Sequence, residues 1–266
     1  MRIKVQILAG LLITAFFSGC GGGSGGGSSP GVDVVDSLAF ERVSNMSFGF
    51  QIIGDHGITQ IDDKFFNLSL KQKGQIYMAQ QTADMQFATL TVNAQNPVLC
   101  IRPTLTSIAL IKVQRAGDQY TYTFGGFDPN PETFWWYLFD QVPVVQQWGN
   151  AMAWNEQGQP TFNSDYPVMK VRGIAPLPAA DLTAQNGSVD AGVAGQYAVC
   201  ITQGRIQHIS RAIAAGQFQG AMYVEGVRVT NTGAVSSPVL RSRDNAGIRF
   251  SSFGGGQLML VDVAGL

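Results

Sequence analysis

Alternation of apolar and polar residues is the clearest pattern along this chain, and it predicts β-strands. Residues 88–93 alternate between Ala, Leu or Val and Thr or Asn, as expected of a strand buried on one face. Residues 108–124 predict a hairpin, because two alternating runs flank Gly117-Asp118. The stretch TFWWYLFD (133–140) is apolar on both faces, which predicts a strand covered on both sides or packed against a neighbouring domain.

The second half of the chain carries the same kind of pattern. Residues 197–202, 220–229 and 257–264 predict strands. Residues 205–216, RIQHISRAIAAG, instead fit a short helix that ends at Gly216.

The chain also resembles itself, which indicates an internal repeat. The stretch FGFQIIGDHGITQIDDKFFNLSL (48–70) aligns with WGNAMAWNEQGQPTFNSDYPVMKV (148–171). Farther on, VLCI (98–101) returns as AVCI (198–201). Two blocks at nearly one offset predict two related copies of one unit.

Each copy opens with a strand, a turn and a second strand. The turns are residues 54–57 and 155–158, where Asp or Asn and Gly supply side-chain hydrogen bonds and positive φ. We therefore predict an all-β protein with two tandem related antiparallel β-sandwich-like domains, residues 46–141 and 146–266.

The residues before these domains predict a lipoprotein leader and a linker. Residues 1–19 have a basic start and an apolar run of about 13 residues, shorter than the ~20 that a spanning helix needs. Phe17-Ser18-Gly19-Cys20 is similar to a bacterial lipobox, which implies cleavage between Gly19 and Cys20 and lipidation of the Cys20 thiol. Residues 20–45 then predict a lipidated Cys20 on a flexible Gly/Ser linker. The alternatives are an ordinary cleaved signal peptide and a true start at Met46.

Composition narrows the possible partners. Charged residues make up 13% of the chain, the formal net charge is −1, and no basic run occurs, so we expect no nucleic-acid partner. The 32 glycines agree with a turn-rich β protein.

Few residues are candidates for catalysis or metal binding. His56 and His208 are the only histidines, and no nucleophile elbow, zinc-protease motif or phosphate-binding loop accompanies them. An acidic group, Asp55, Asp62 and Asp63, suggests calcium, but its spacing does not fit an EF-hand and the second copy has Asn or Ser there. We predict no catalytic residue, cofactor or metal ligand.

Cysteines and aromatic residues have structural explanations. Cys100 and Cys200 are expected to be buried free thiols, because equivalent positions in two domains each face their own core. An oxidising periplasm would permit a bond between them. Aromatic residues that are expected in a core or a domain interface, with a sugar- or protein-binding face as the alternative, are Phe134, Trp135, Trp136, Tyr137 and Phe139; Trp148 and Trp154 are likewise expected in the core.

A family resemblance rests on these stretches together. FGFQIIGDHGITQID, NPVLCIRP and YLFDQVPVVQQWGNAMAWNEQGQPTFNSDY resemble a group of uncharacterised tailed-phage and prophage proteins that are grouped with tail or virion structural proteins. The resemblance covers residues 46–266 and implies a structural role by association. The lipoprotein leader departs from that family, since a tail component needs no lipid anchor.

The sequence therefore predicts a non-enzymatic protein of prophage origin, anchored by lipid in the outer membrane, whose β domains serve a binding or structural role. Gly21 follows the lipidated Cys20 in place of the inner-membrane retention signal Asp, which favours the outer membrane. Its expected partners are the membrane and phage-tail or envelope proteins, and its oligomeric state is left open. The alternatives are a phage tail protein that starts at Met46 and a secreted hydrolase.

Overall fold

The structure, a computed structural model, contains β-strands and no helix in the residues that it describes. These residues are 4–7, 50–53, 59–62, 66–80, 86–126, 132–141, 151–177, 186–214, 217–244 and 255–266. The prediction of an all-β, sandwich-like protein is thereby confirmed.

Nineteen strands are formed by the described part of the chain. The first twelve are β1 (Lys4–Ile7), β2 (Phe50–Ile53), β3 (Thr59–Asp62), β4 (Ser69–Tyr77), β5 (Ala79–Gln80), β6 (Gln86–Asn93), β7 (Val98–Arg102), β8 (Ile108–Ala116), β9 (Gln119–Gly126), β10 (Thr133–Asp140), β11 (Met152–Trp154) and β12 (Pro160–Asn163). The others are β13 (Lys170–Leu177), β14 (Ser188–Asp190), β15 (Tyr197–Gln203), β16 (Ile206–Ala214), β17 (Gln217–Val229), β18 (Gly233–Asp244) and β19 (Gly256–Asp262).

The chain divides into two compact units, residues 1–63 and 64–266. In the first unit, β1, β2 and β3 form an antiparallel three-stranded sheet with β2 in the middle.

In the second unit, a six-stranded sheet takes three strands from each repeat. Its order is β13-β19-β15-β7-β10-β4, and every pairing is antiparallel. Read outward from the centre, the first repeat supplies β7, β10 and β4, and the second supplies β15, β19 and β13. The two repeats therefore have the same strand order on either side of a central pair, β7 and β15.

An eight-stranded sheet of the same unit repeats this arrangement. Outward from its central pair, the order is β8, β9, β6 and β5 in the first repeat and β17, β18 and β14 in the second. The predicted hairpin is confirmed as β8 and β9, joined by Gly117 with a φ of +61°. Strand β16 pairs with β17 beside β8, so the sheet branches there.

The main hydrophobic core lies between these two sheets. Phe124 of β9 meets Phe134 of β10 edge to face, with ring centroids 5.4 Å apart. Leu138, Val199 and Leu260 of the six-stranded sheet are fully buried in the same cluster. The predicted alternation in 88–93 is confirmed, because Ala88 and Val92 are buried whereas the threonines between them are exposed.

The opening hairpins of the two repeats have the same register. In the first unit Gln51 pairs with Asp62 and Ile52 with Ile61, and 101 positions later Met152 pairs with Asn163 and Ala153 with Phe162. Each hairpin has its irregularity after the second of these pairs. The structure therefore places Gln51 at the position of Met152, whereas alignment of 48–70 with 148–171 from the first residue places Gln51 against Ala151.

One secondary-structure prediction is wrong. Residues 206–214 form strand β16 and not a helix. The apolar spacing fitted a helix locally, but antiparallel pairing with β17 across nearly its whole length overrides that local preference.

Candidate functional site

The two repeats meet at a disulfide bond. Cys100 of β7 and Cys200 of β15 are bonded, with their Cα atoms 4.3 Å apart. Val199 pairs with Ile101 in the adjacent position, so the two cysteines lie opposite each other in the sheet. The expectation of two free thiols is wrong, because the repeats share one sheet in which equivalent strands are neighbours.

The disulfide lies on the outer face of the six-stranded sheet, away from the main core. It belongs to a second apolar cluster with Tyr137, Phe139 and Val261. Leu68 and Met169 pack on this cluster, and the Met169 N–H donates to the Leu68 carbonyl oxygen (2.8 Å). The segments that precede β4 and β13 thus pack on the cluster that contains the disulfide.

An ion pair recurs at equivalent strand ends of the two repeats. In the first, Lys71 Nζ lies 2.9 Å from Oδ2 of Asp140, which ends β10. In the second, Arg172 donates from Nε and Nη2 to Oδ2 of Asp262, which ends β19. Both pairs join an outer strand to its inner neighbour.

Asp140 is buried and makes more hydrogen bonds than Asp262, its counterpart in the second repeat. Its oxygens accept hydrogen bonds from the backbone N–H groups of Gln95 (2.9 Å), Asn96 (2.8 Å) and Gln141 (2.9 Å). Burial acts to raise the pKa of Asp140, but Lys71 and these three donors outweigh it, so the pKa lies below 3.8. The carboxylate therefore stays ionised as part of the structure.

Glu132 is a second buried carboxylate with a structural task. Its Oε1 accepts from the N–H groups of Thr104 (2.7 Å) and Leu105 (3.0 Å), and its Oε2 accepts from the N–H and hydroxyl of Thr106 (both 2.9 Å). This side chain fixes the loop between β7 and β8.

Strand β10 is apolar on both faces, as predicted. Phe134, Trp136 and Leu138 face the main core, and Tyr137 and Phe139 face the cluster around the disulfide. Thr133 and Trp135 are the exceptions: both are exposed, and Trp135, on the outer face, is 36% exposed.

Around Trp135 the outer face is aromatic and basic. Trp135 stacks on Tyr137, with ring centroids 6.5 Å apart and planes 28° apart. On one side β4 places Gln75 opposite Trp135 and Lys73 opposite Tyr137, and on the other side β7 places Arg102 opposite Trp135. We call this surface the aromatic patch; its residues are Lys73, Gln75, Tyr77, Arg102, Trp135 and Tyr137.

Arg102 is the polar centre of the aromatic patch. Its Nε atom is buried and has no hydrogen-bond partner in the structure. Burial raises the pKa of the Tyr137 hydroxyl, and the nearby Arg102 guanidinium opposes that rise. The patch thus combines an exposed ring with an unused hydrogen-bond donor.

A second candidate lies where β16 replaces β8 alongside β17. A buried ion pair joins Arg205 and Glu225, with both nitrogens of one edge of the guanidinium donating to the two carboxylate oxygens. A cavity of about 240 Å³ adjoins this pair. Its other lining residues are mostly apolar: Leu110, Ile111, Ile201, Thr202, Gly204, Ile206 and Val224.

The remaining predicted sites have mixed outcomes. His208 is buried on β16. In the described ranges no group of three or more His, Cys, Asp or Glu is placed to hold a metal. Trp154 is 46% exposed, so its assignment to the core is wrong: it lies on the short hairpin β11–β12. Predicted positions outside the described residues are Gly19, Cys20, Met46, Asp55, His56, Asp63 and Trp148; only the backbone of Asp62, in β3, is described.

The sequence motifs missed the cavity, and they gave Trp135 and Tyr137 of the aromatic patch a sugar- or protein-binding role only as the alternative to a core position. The other members of the patch, Lys73, Gln75 and Arg102, lie on the strands next to β10, so their proximity to Trp135 is seen only once the strand order is known. Among the described residues, no helix has the length and apolar character needed to cross a membrane. Comparison of the chain with protein-family models, curated proteins and solved structures gave no match.

Proposed function

We propose that this chain is an exported protein, anchored by lipid in the outer membrane through Cys20, that displays a non-catalytic, phage-tail-like β scaffold of prophage origin for a binding or structural role. The disulfide between Cys100 and Cys200 is the observation that supports export. Disulfides form and persist in the periplasm and outside the cell, whereas cytosolic thiols are kept reduced. A tail protein that starts at Met46 and folds in the cytosol would lack those conditions.

Structural use of the buried carboxylates supports the non-catalytic part of this proposal. Glu132, Asp140 and Glu225 each bind backbone N–H groups or a cationic side chain of their own fold. A general acid or base needs a hydrogen-bonding direction open to substrate. These three groups are committed instead to loops and strand ends.

Membrane fractionation with lipid labelling tests the anchor. Cells that express the full chain should incorporate labelled palmitate into it and hold it in the outer-membrane fraction. Cys20→Ala should be unlabelled and leave the membranes. The double variant Cys100→Ala/Cys200→Ala is the matched control, because it also removes cysteines but should keep the label. Unlabelled wild-type protein, or purified virions whose protein begins at Met46, would contradict the proposal.

A further inference from the structure

The aromatic patch differs from the equivalent place in the second repeat, which serves as an internal reference. Two residues after Cys100 comes Arg102, next to Trp135 of β10. Two residues after Cys200 comes Thr202, whose hydroxyl hydrogen-bonds Gln257 of β19 at the side-chain oxygen (3.1 Å). At this place the second repeat pairs its polar side chains with each other, whereas the first leaves the Arg102 Nε without a hydrogen-bond partner and an indole exposed.

Exposure and charge define what the aromatic patch can bind. Trp135 is 36% exposed and Tyr77 is 58% exposed, so two ring surfaces are open to a partner. The charged members, Lys73 and Arg102, are both positive, although the whole chain has a net charge of −1. An anionic partner is therefore complementary to this surface.

Lys73 and Arg102 are spaced to bind two separate, singly charged groups of a ligand. Lys73 is on β4 and Arg102 on β7, the two neighbours of β10, so their strands lie about 10 Å apart. Arg102 lies opposite Trp135 and Lys73 lies opposite Tyr137, so the two cations are also displaced from each other along the strands. A guanidinium and an ammonium separated in this way, on opposite sides of an aromatic strand, suit carboxylates on separate sugars better than a single multiply charged phosphate.

We propose that the aromatic patch binds an acidic glycan of the uronic-acid type. One sugar ring stacks its C–H face on the indole of Trp135, whose π face is electron-rich. Arg102 and Lys73 bind the carboxylates, and Gln75 hydrogen-bonds hydroxyl groups. The proposal deepens the proposed function and rests on it only in taking the envelope as the natural source of the glycan.

Titration of the purified full chain in mild detergent tests this proposal. The probe is an oligomer of galacturonic acid, and its methyl ester and a neutral glucose oligomer are the comparison ligands. We expect saturable binding of the galacturonate, measured by calorimetry and tryptophan fluorescence, and binding of the methyl ester at least about tenfold weaker. Added salt should weaken galacturonate binding, because the two cations are near the surface.

Variants locate the binding to the patch. Trp135→Ala and Arg102→Gln should each weaken galacturonate binding by about tenfold or more, and the exposed Lys73→Gln by less. Gln257→Ala, at the equivalent exposed position of the second repeat, is the control and should bind like wild type. Lys73→Gln keeps the test sound if Trp135→Ala fails to fold, because Lys73 is exposed.

Three results would overturn the inference. These are no binding of galacturonate by the folded wild type, equal binding of the ester or the neutral oligomer, and an equal effect of Gln257→Ala and the patch variants. Soluble Cys20→Ala protein should bind galacturonate as wild type does. The binding titration therefore tests the glycan proposal, and membrane fractionation separately tests the lipid anchor.

Discussion

Cys100 and Cys200 face each other across the boundary between the repeats, with Cα atoms 4.3 Å apart on adjacent antiparallel strands. Each is the same position of its own repeat. A bond between identical positions is what two copies related by a twofold axis make at that axis. The disulfide therefore joins the two repeats where their equivalent strands, β7 and β15, pair.

Removal of this bond should destabilise the protein strongly. Cys100→Ala/Cys200→Ala should lower the free energy of unfolding by about 2–5 kcal/mol, because the bond closes a loop of 100 residues in the unfolded chain. Urea denaturation of oxidised wild type and variant measures the difference. Cys20→Ala should leave the value unchanged. Alkylation of both Cys100 and Cys200 in unreduced, denatured protein would contradict the assignment.

Asp140 should make stability depend on pH in the acid range. Its folded-state pKa lies below 3.8, so its contribution is complete above that value and is lost as the pH falls through the folded-state pKa. Asp140→Asn, which also turns an amide towards backbone donors, should cost about 1–3 kcal/mol at pH 7. The loss should be smaller near pH 3, below the unfolded value of 3.8, because protonation of this carboxyl in the unfolded chain then removes part of the wild-type advantage.

Asp262→Asn is the matched control for this effect. Hydrogen bonds from Ala264 and Arg172 also lower the pKa of Asp262 against the opposing effect of burial, but Asp262 is less buried and accepts from one backbone N–H only. Its substitution should cost less at pH 7. Equal losses for Asp140→Asn at both pH values, in denaturant titrations, would refute the role given to the charge.

The buried ion pair beside the cavity should be intolerant of single changes. Glu225→Ala leaves the Arg205 guanidinium buried without its carboxylate and should cost about 3–5 kcal/mol. The double variant Arg205→Met/Glu225→Leu removes both charges together and should be more stable than Glu225→Ala. Thermal unfolding of the three proteins gives the comparison, and a double variant no better than the single one would refute it.

Gly226 is needed where the repeats meet in the eight-stranded sheet. It pairs with Ala109 of the first repeat, and a Cβ atom there would lie 2.2 Å from Cγ2 of the buried Val239. Gly226→Ala should cost about 1–3 kcal/mol through overpacking. Gly204→Ala, whose Cβ would be 3.3 Å from the nearest atom, is the control with the smaller expected loss. Comparable melting temperatures would argue against this close approach.

Much of the secondary structure could be predicted from local pattern. The alternation in 88–93, the turn at Gly117-Asp118 and the doubly apolar 133–140 are set by side chains that are near in sequence. Self-similarity also predicted matching hairpins, and the hairpins have the same register. These features depend on neighbours along the chain, so one sequence suffices to find them.

The disulfide could not be predicted from local sequence, because it depends on which distant strands are neighbours in the sheet. Equivalent residues of two closed domains stay apart, whereas equivalent residues beside a twofold axis come together. The repeat can be recognised in the sequence, but whether its copies form two closed domains or share one sheet cannot. The aromatic patch shares this property, since Lys73, Arg102 and Trp135 become neighbours only through the order β4-β10-β7.

Strand β19 lies between β13 and β15, yet it is made after both of them. Strand β13 pairs within the six-stranded sheet only through β19, so during translation it has no partner there until residues 256–262 have left the ribosome. Completion of this edge of the sheet must therefore wait for late synthesis. Until then residues 170–177 have no partner in this sheet, and an unpaired segment is what a translocation channel for unfolded chains can pass.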